Sequence, residues 1–281
     1  MLEHTSSSTG WWAMPTSDLS VKPTLPPLSY FKIPPASTPQ ILLPPSDNLS
    51  LAVPFQIPTW LYNDALEWQV PVTIAAIYAI IVTSMNRLNK QRKLQPWAFS
   101  KTPFFRTMVL IHNVLLAIYS AWTFVGMWHA LRVSIYSPLD EHGLAGTVDS
   151  FCKINGPRGL GAAATYNQRT QAWSIANRAF KLGPDGVSPD PTDVGRMWNS
   201  GLAFYGWLFY MSKFYEVLDT FIILAKGKKS SLLQTYHHAG AMLCMWAGIR
   251  YMSPPIWMFV FVNSFIHTIM VRTRSRMDRP R

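Results

Sequence analysis

Apolar residues gather into five long stretches along the chain, separated by polar or basic segments. Crossing the hydrocarbon core of a bilayer takes about 20 helical residues, and each stretch is of that order. Trp68–Met85 carries no charge, and Thr107–Leu131 is uncharged between Arg106 and Arg132. Met197–Ala225 is apolar apart from Lys213, Glu216 and Asp219. Ser230–Ile249 lies between Lys229 and Arg250, and Tyr251–Val271 ends at Arg272. The pair Pro254-Pro255 is expected to begin the last helix, since proline is tolerated in a first turn. The pattern predicts an all-α, polytopic membrane helix bundle with five transmembrane helices.

Residues 1–65 hold half of the 22 prolines, with many Ser and Thr. Such a segment cannot form a long helix or close a core of its own. It reads as a flexible Pro/Ser-rich tail, with Trp11 and Trp12 as interface contacts and Asn48-Leu49-Ser50 as a weak glycosylation sequon. It lacks a basic start followed by a short apolar core, so no ordinary signal peptide is expected. The remainder divides into a membrane domain, 66–271, and a basic tail, 272–281.

Charge then orients the spans. The first loop holds Arg87, Lys90, Arg92, Lys93, Lys101 and Arg106, and the third holds Lys226, Lys228 and Lys229. The tail carries Arg272, Arg274, Arg276, Arg279 and Arg281, whereas the second loop, 132–196, mixes bases with acids such as Asp140, Glu141 and Asp149. The positive-inside rule puts the basic loops in the cytosol, with the N-terminus and the second loop lumenal. The Gly, Pro and Asp content of that loop predicts irregular structure, and its sequence is compatible with a helix around Asn167–Lys181. No internal repeat is visible.

Composition agrees. Charged residues are 14% of the chain, against about 25% in soluble domains. Aromatics are also 14%, as suits rings seated at lipid–water interfaces. The net charge of +11 follows from the loops beside the spans and gives no reason to expect nucleic acid. Cys152 and Cys244 form neither a disulfide framework nor a zinc spacing.

Candidate chemistry lies in the last three spans. In Lys213-Phe-Tyr-Glu216-Val-Leu-Asp219-Thr220, an unbroken helix puts Lys213, Glu216, Asp219 and Thr220 within about a third of its circumference. Charges at membrane depth cost about 2.5–3.5 kcal/mol each on insertion scales, so they face a protein interior or a wet cavity. A purely structural ion-pair stripe is the alternative. The fourth span opens Gln234-Thr-Tyr-His237-His238, with Gln234 one turn from both histidines. In the fifth, Asn263 and His267 are at i and i+4, on one face. Each histidine has a packed, hydrogen-bonded alternative. His112-Asn113 is a weaker signal, His4, His129 and His142 carry no pattern, and Cys244 reads as lipid-facing or core.

These residues resemble the ELO fatty-acid elongases. Lys213–Thr220 is similar to the family's K-x-x-E-x-x-D-T signature, Gln234–His238 to its H-x-x-H-H box in the Q-x-x-H-H form, and Asn263–Met270 to the start of its N-x-x-x-H-x-x-M-Y block. The Lys-rich turn Lys226–Lys229 also fits. The resemblance implies a very-long-chain 3-oxoacyl-CoA synthase in the endoplasmic reticulum membrane. It would condense an acyl-CoA with malonyl-CoA to give 3-oxoacyl-CoA, CO2 and CoA, with no metal or prosthetic group. Expected partners are those two thioesters, membrane lipids, and the ketoreductase, dehydratase and enoyl reductase of an elongation cycle. His237 is the expected acyl-accepting nucleophile, with His238 and His267 positioning it, moving protons or stabilising the enolate. Lys213, Glu216, Asp219, Thr220, Gln234 and Asn263 form the supporting polar face.

The sequence departs from the family in two places. Gln234 replaces the first His of the box, a form that accompanies some elongases of polyunsaturated chains. After Met270 the family continues with aromatic residues and two further helices of an expected seven, whereas here Val271–Arg281 is almost purely basic, as a truncated or frameshifted chain would be. An inactive fragment is therefore one rival reading. A membrane di-iron desaturase is another, but its boxes supply about eight histidines whereas this chain has 7 in all, and ligation requires convergence. A transporter lined by the buried charges is a third, which broken helices or paired repeats would support.

Overall fold

The computed structural model describes residues 50–277, apart from 168, 176, 178 and 191, with side chains to residue 269. His4, Trp11, Trp12 and Asn48 lie outside the described residues. Eight α-helices are described: α1 (Thr59–Ala65), α2 (Gln69–Gln91), α3 (Pro103–Ser134), α4 (Gly143–Cys152), α5 (Ala203–Tyr215), α6 (Val217–Ala225), α7 (Leu232–Arg250) and α8 (Ile256–Met277).

Local chemistry sets several helix starts. Thr102 caps α3 by accepting from the Phe105 N–H at 3.2 Å, with Pro103 in the first position. Ser231 caps α7 by accepting from Gln234 N–H at 3.1 Å. Pro254-Pro255 sits just ahead of α8 rather than inside it. That helix also runs through Val271 into the basic tail, as far as Met277.

Two helices, α2 and α3, are long and apolar enough to cross a membrane. The other three expected spans fall short of that measure, each for a visible reason. The third is broken by a π-helical turn at Trp198–Leu202, where Gly201 has φ 142°, and again at Glu216 between α5 and α6. The 19-residue α7 carries Gln234, His237 and His238 in its first half. In α8 the helix begins only at Ile256 and Arg272 follows Val271, so its apolar run is shorter than a full span.

The second loop corrects two expectations. Instead of a helix around Asn167–Lys181 there is an antiparallel hairpin, β1 (Ala164–Asn167) with β2 (Ala172–Ile175), so the fold is mostly helical rather than all-α. Thr, Tyr, Trp and Ile suit paired strands, and the Asn167 side chain accepts from the N–H groups of Arg169 and Thr170, which folds the turn. Nor is the loop irregular at its base. Arg196 is buried there and spends its guanidinium on four carbonyls and a carboxylate: Pro157, Asp149, Lys153 and Gly159 O, and Asp149 Oδ2.

Order also begins earlier than residue 66. Tyr62 and Leu66 are fully buried, and the carbonyls at the end of α1 have side-chain donors. Trp207 Nε1–H donates to Tyr62 O, Tyr210 O–H to Ala65 O at 2.8 Å, and Trp246 Nε1–H to Leu66 O at 2.8 Å. Aromatic donors from α5 and α7 thus satisfy helix-end acceptors that a flexible tail would leave to water.

The first and third basic loops are stitched together. Asn89 is buried and donates to Leu224 O at 2.8 Å, while its own Oδ1 accepts from Trp97 Nε1–H at 2.9 Å. Asn86 pairs with the backbone of Ser230 through both amide atoms. Gly227 adopts φ 74°, and a Cβ there would meet the Leu94 and Gln95 backbone at 2.6 Å. Only glycine fits that approach.

Candidate active site

The α5–α6 break organises the site. At the end of α5, Lys213 Nζ–H donates to Glu216 Oε1 at 2.7 Å and to Asn263 Oδ1 on α8 at 3.3 Å, and lies 3.8 Å above the Phe209 ring. Ser212 O–H also reaches Glu216 Oε1, at 3.3 Å. Lys213 and Glu216 are 2% and 6% exposed. Removing two charges from water is expensive unless the remaining donors and acceptors are also satisfied. Asn263, Ser212 and the Phe209 ring supply that satisfaction.

Beyond the break the polar face fans out instead of staying on one side. Asp219 turns to α3, where His112 Nε2 is 3.2 Å from its Oδ1. Thr220, fully buried, turns to α2 and meets the Tyr78 hydroxyl at 2.9 Å. Gln234 Nε2 lies 3.5 Å from Thr220 Oγ1, at the outer limit of a hydrogen bond. His238 is buried, edge-on to Tyr78 and 5.6 Å from the His237 ring. His237 is exposed, and neither it nor His267 has a hydrogen-bond partner among the described residues.

A cavity of about 340 Å³ lies among these groups. It takes Glu216 and Asp219 from the break and α6, Gln234, His237 and His238 from α7, and His267 from α8. Lys226 and Lys228 line it as well, and α3 contributes Val109 and Asn113. Of the nine residues singled out in the sequence, Lys213, Thr220 and Asn263 do not line it and stand behind those that do. Among the described residues no group of three or more His, Cys, Asp or Glu side chains is arranged as metal ligands would be. A second, apolar groove of about 810 Å³ runs between α7 and α8, from Tyr251 and Pro255 to Asn263 and Ile266.

Sequence reasoning missed three residues. His112 had only a weak local signal, the adjacent His-Asn pair. Tyr78 and Tyr215 had none, since a tyrosine in an apolar span looks like core.

The sequence model of the ELO, or GNS1/SUR4, family matches residues 65–271. The chain belongs to this family. Members of the ELO family are membrane proteins, in keeping with α2 and α3. Fatty acid elongase A of Dictyostelium discoideum is 34% identical over 177 residues, 62% of this chain and 58% of that protein. Fatty acid elongase 2 of Trypanosoma brucei brucei is 31% identical over 78 residues, 28% of this chain and 29% of that protein. A fatty acid elongase homologue of D. discoideum is 27% identical over 208 residues, 73% of this chain and 51% of its own length. The chain thus spans about half the length of these two D. discoideum relatives. No solved structure matches it.

Proposed function

We propose that the chain is a fatty acid elongase of the condensing type, joining a long-chain acyl-CoA to malonyl-CoA in the endoplasmic reticulum membrane. The observation that carries this reading is the convergence of three imidazoles, His237, His238 and His267, with two carboxylates on one cavity. Elongase is also what the related proteins are named.

His237 is the nucleophile in this scheme, having no hydrogen-bond partner among the described residues and lining the cavity. Its ring nitrogen attacks the acyl thioester carbon, the C–S bond breaks, and the departing thiolate takes the ring's other proton. Malonyl-CoA then loses CO2, and the electron pair of the broken C–C bond becomes the thioester enolate. That carbon attacks the acyl-imidazole, the C–N bond breaks, and His237 recovers a proton from water. N–H groups of His238 and His267 stabilise the enolate oxygen, the kind of preorganised donor that lowers such barriers most. Lys226 and Lys228 suit the anionic CoA end, and the apolar groove beside α8 suits hydrocarbon. No resident cofactor is required. Five spans with a lumenal N-terminus, and association with reductase and dehydratase partners, complete the proposal.

The test is direct. Purified chain in bilayers, given labelled malonyl-CoA and long-chain acyl-CoAs, polyunsaturated ones included, is expected to release CO2 and form 3-oxoacyl-CoA. Absence of both products from folded protein refutes the reading.

A further inference from the structure

We infer that His112, outside both histidine motifs, is a positioning residue that sets the Asp219 carboxylate in the cavity. Its role in turnover rests on the condensation reading; the contact itself does not. His112 is 4% exposed on α3, with Nε2 3.2 Å from Asp219 Oδ1 and Nδ1 3.0 Å from the Tyr215 hydroxyl. Its ring lies 5.1 Å from that of Tyr215. A carboxylate only accepts hydrogen bonds, so Nε2–H donates to Asp219 and Nδ1 is left to accept from the Tyr215 O–H. Both ring nitrogens are thereby engaged and the tautomer is fixed.

The geometry gives this chain of bonds a purpose beyond packing. Tyr215 is the last residue of α5 and Asp219 lies in the first turn of α6, so His112 grips both sides of the break at Glu216. Asp219 lines the cavity that holds His237, His238 and His267. One of its oxygens is held from behind, and Oδ2 has no partner among the described residues. A carboxylate fixed in this way can orient a neighbouring imidazole and stabilise its cationic form, as the acid of a catalytic triad does. A plain staple between α3 and α6 would hold the helices together without affecting turnover by folded protein.

The two roles separate in His112→Leu and His112→Gln, the glutamine amide falling near the lost Nε2. Activity is measured in bilayers with malonyl-CoA and a long-chain acyl-CoA, normalised to folded protein by size exclusion. His112→Leu is expected to lower kcat about 10- to 100-fold, the range for partners that orient catalytic groups, with KM for malonyl-CoA unchanged and His112→Gln restoring most of kcat. Wild-type kcat in folded His112→Leu, or no rescue by glutamine, overturns the assignment. Independently of turnover, 15N NMR of labelled histidines is expected to show the His112 ring signals, identified by their loss in His112→Gln, shifting in Asp219→Leu; unshifted signals overturn it as well. A wild-type chain without turnover refutes condensation instead, and the NMR arm still decides the contact.

Discussion

Lys213 Nζ sits 2.7 Å from Glu216 Oε1, yet only Glu216 reaches the cavity. The lysine is a counter-charge behind a cavity-lining carboxylate, and the pair is costly to break. Removing one partner of a buried pair leaves an uncompensated charge, at about 3–5 kcal/mol, whereas replacing both with apolar groups is often neutral or stabilising. Lys213→Met is therefore expected to reduce stability severely, and Lys213→Met with Glu216→Leu to recover most of it. Thermal unfolding followed by size exclusion in detergent checks both. The double variant is expected to be inactive although folded.

His237 and His238 are neighbours in sequence with opposite surroundings. His237 is exposed with no hydrogen-bond partner among the described residues, whereas His238 is buried against Tyr78. His237→Ala is thus expected to abolish condensation while leaving folded yield and melting temperature near wild type. His238→Ala is expected to lower both activity and stability, since it empties a buried site. Equal stability losses in the two variants would contradict the difference in burial.

The parts of this architecture legible in the sequence are the local ones. The Lys213–Glu216 pair is one turn apart, and the Gln234–His238 group needs only helical spacing to share a face. The apolar run at Thr107–Leu131 lies inside α3, which extends beyond it at both ends, and Trp68–Met85 coincides with α2 from its cap residue Trp68 onward, the helix continuing to Gln91. What was illegible depends on distant partners. His112 meets Asp219 across 107 positions, and Trp246 caps the α1 end across 180. The π-turn at Gly201 rests on a backbone angle of φ 142°, which hydropathy does not record. The hairpin at β1 and β2 sits between glycine-rich turns that mask its short β pattern.

The second loop has its own acid sensitivity. Burial alone would raise the Asp185 pKa, but the Ser188 hydroxyl and the N–H groups of Val187 and Ser188 donate to its carboxylate and hold it below the usual value. A lowered folded-state pKa contributes stability above the unfolded value, about 3.9, and that contribution is lost as pH falls through the folded one. The turn at 183–189 is therefore expected to stay closed at neutral pH and to loosen only below about pH 4. Acid-protease cleavage there should rise below that pH in wild type, and Asp185→Asn should be cut at a rate that no longer follows pH.

Arg196 closes the same loop onto itself. Its side chain is nearly inaccessible, at 2% exposure, and it reaches the carbonyls of Lys153, Pro157 and Gly159, before and within the 154–160 turn, as well as the α4 carboxylate of Asp149. Asp149 also pairs with Lys153 at 3.2 Å, so loss of the arginine does not leave the acid wholly unpaired. It does leave the Pro157 carbonyl without a donor among the described residues in a buried setting, at roughly 1–3 kcal/mol, while Gly159 O keeps the Ala162 N–H. Lysine offers a point charge and three donors where a planar fork with five is used. Arg196→Lys is accordingly expected to open the 153–196 segment without unfolding α2 or α3. Limited proteolysis should then cut within that segment while the remaining fragments stay together in detergent. Resistance equal to wild type would mean that the hairpin and α4, not the guanidinium, hold the loop closed.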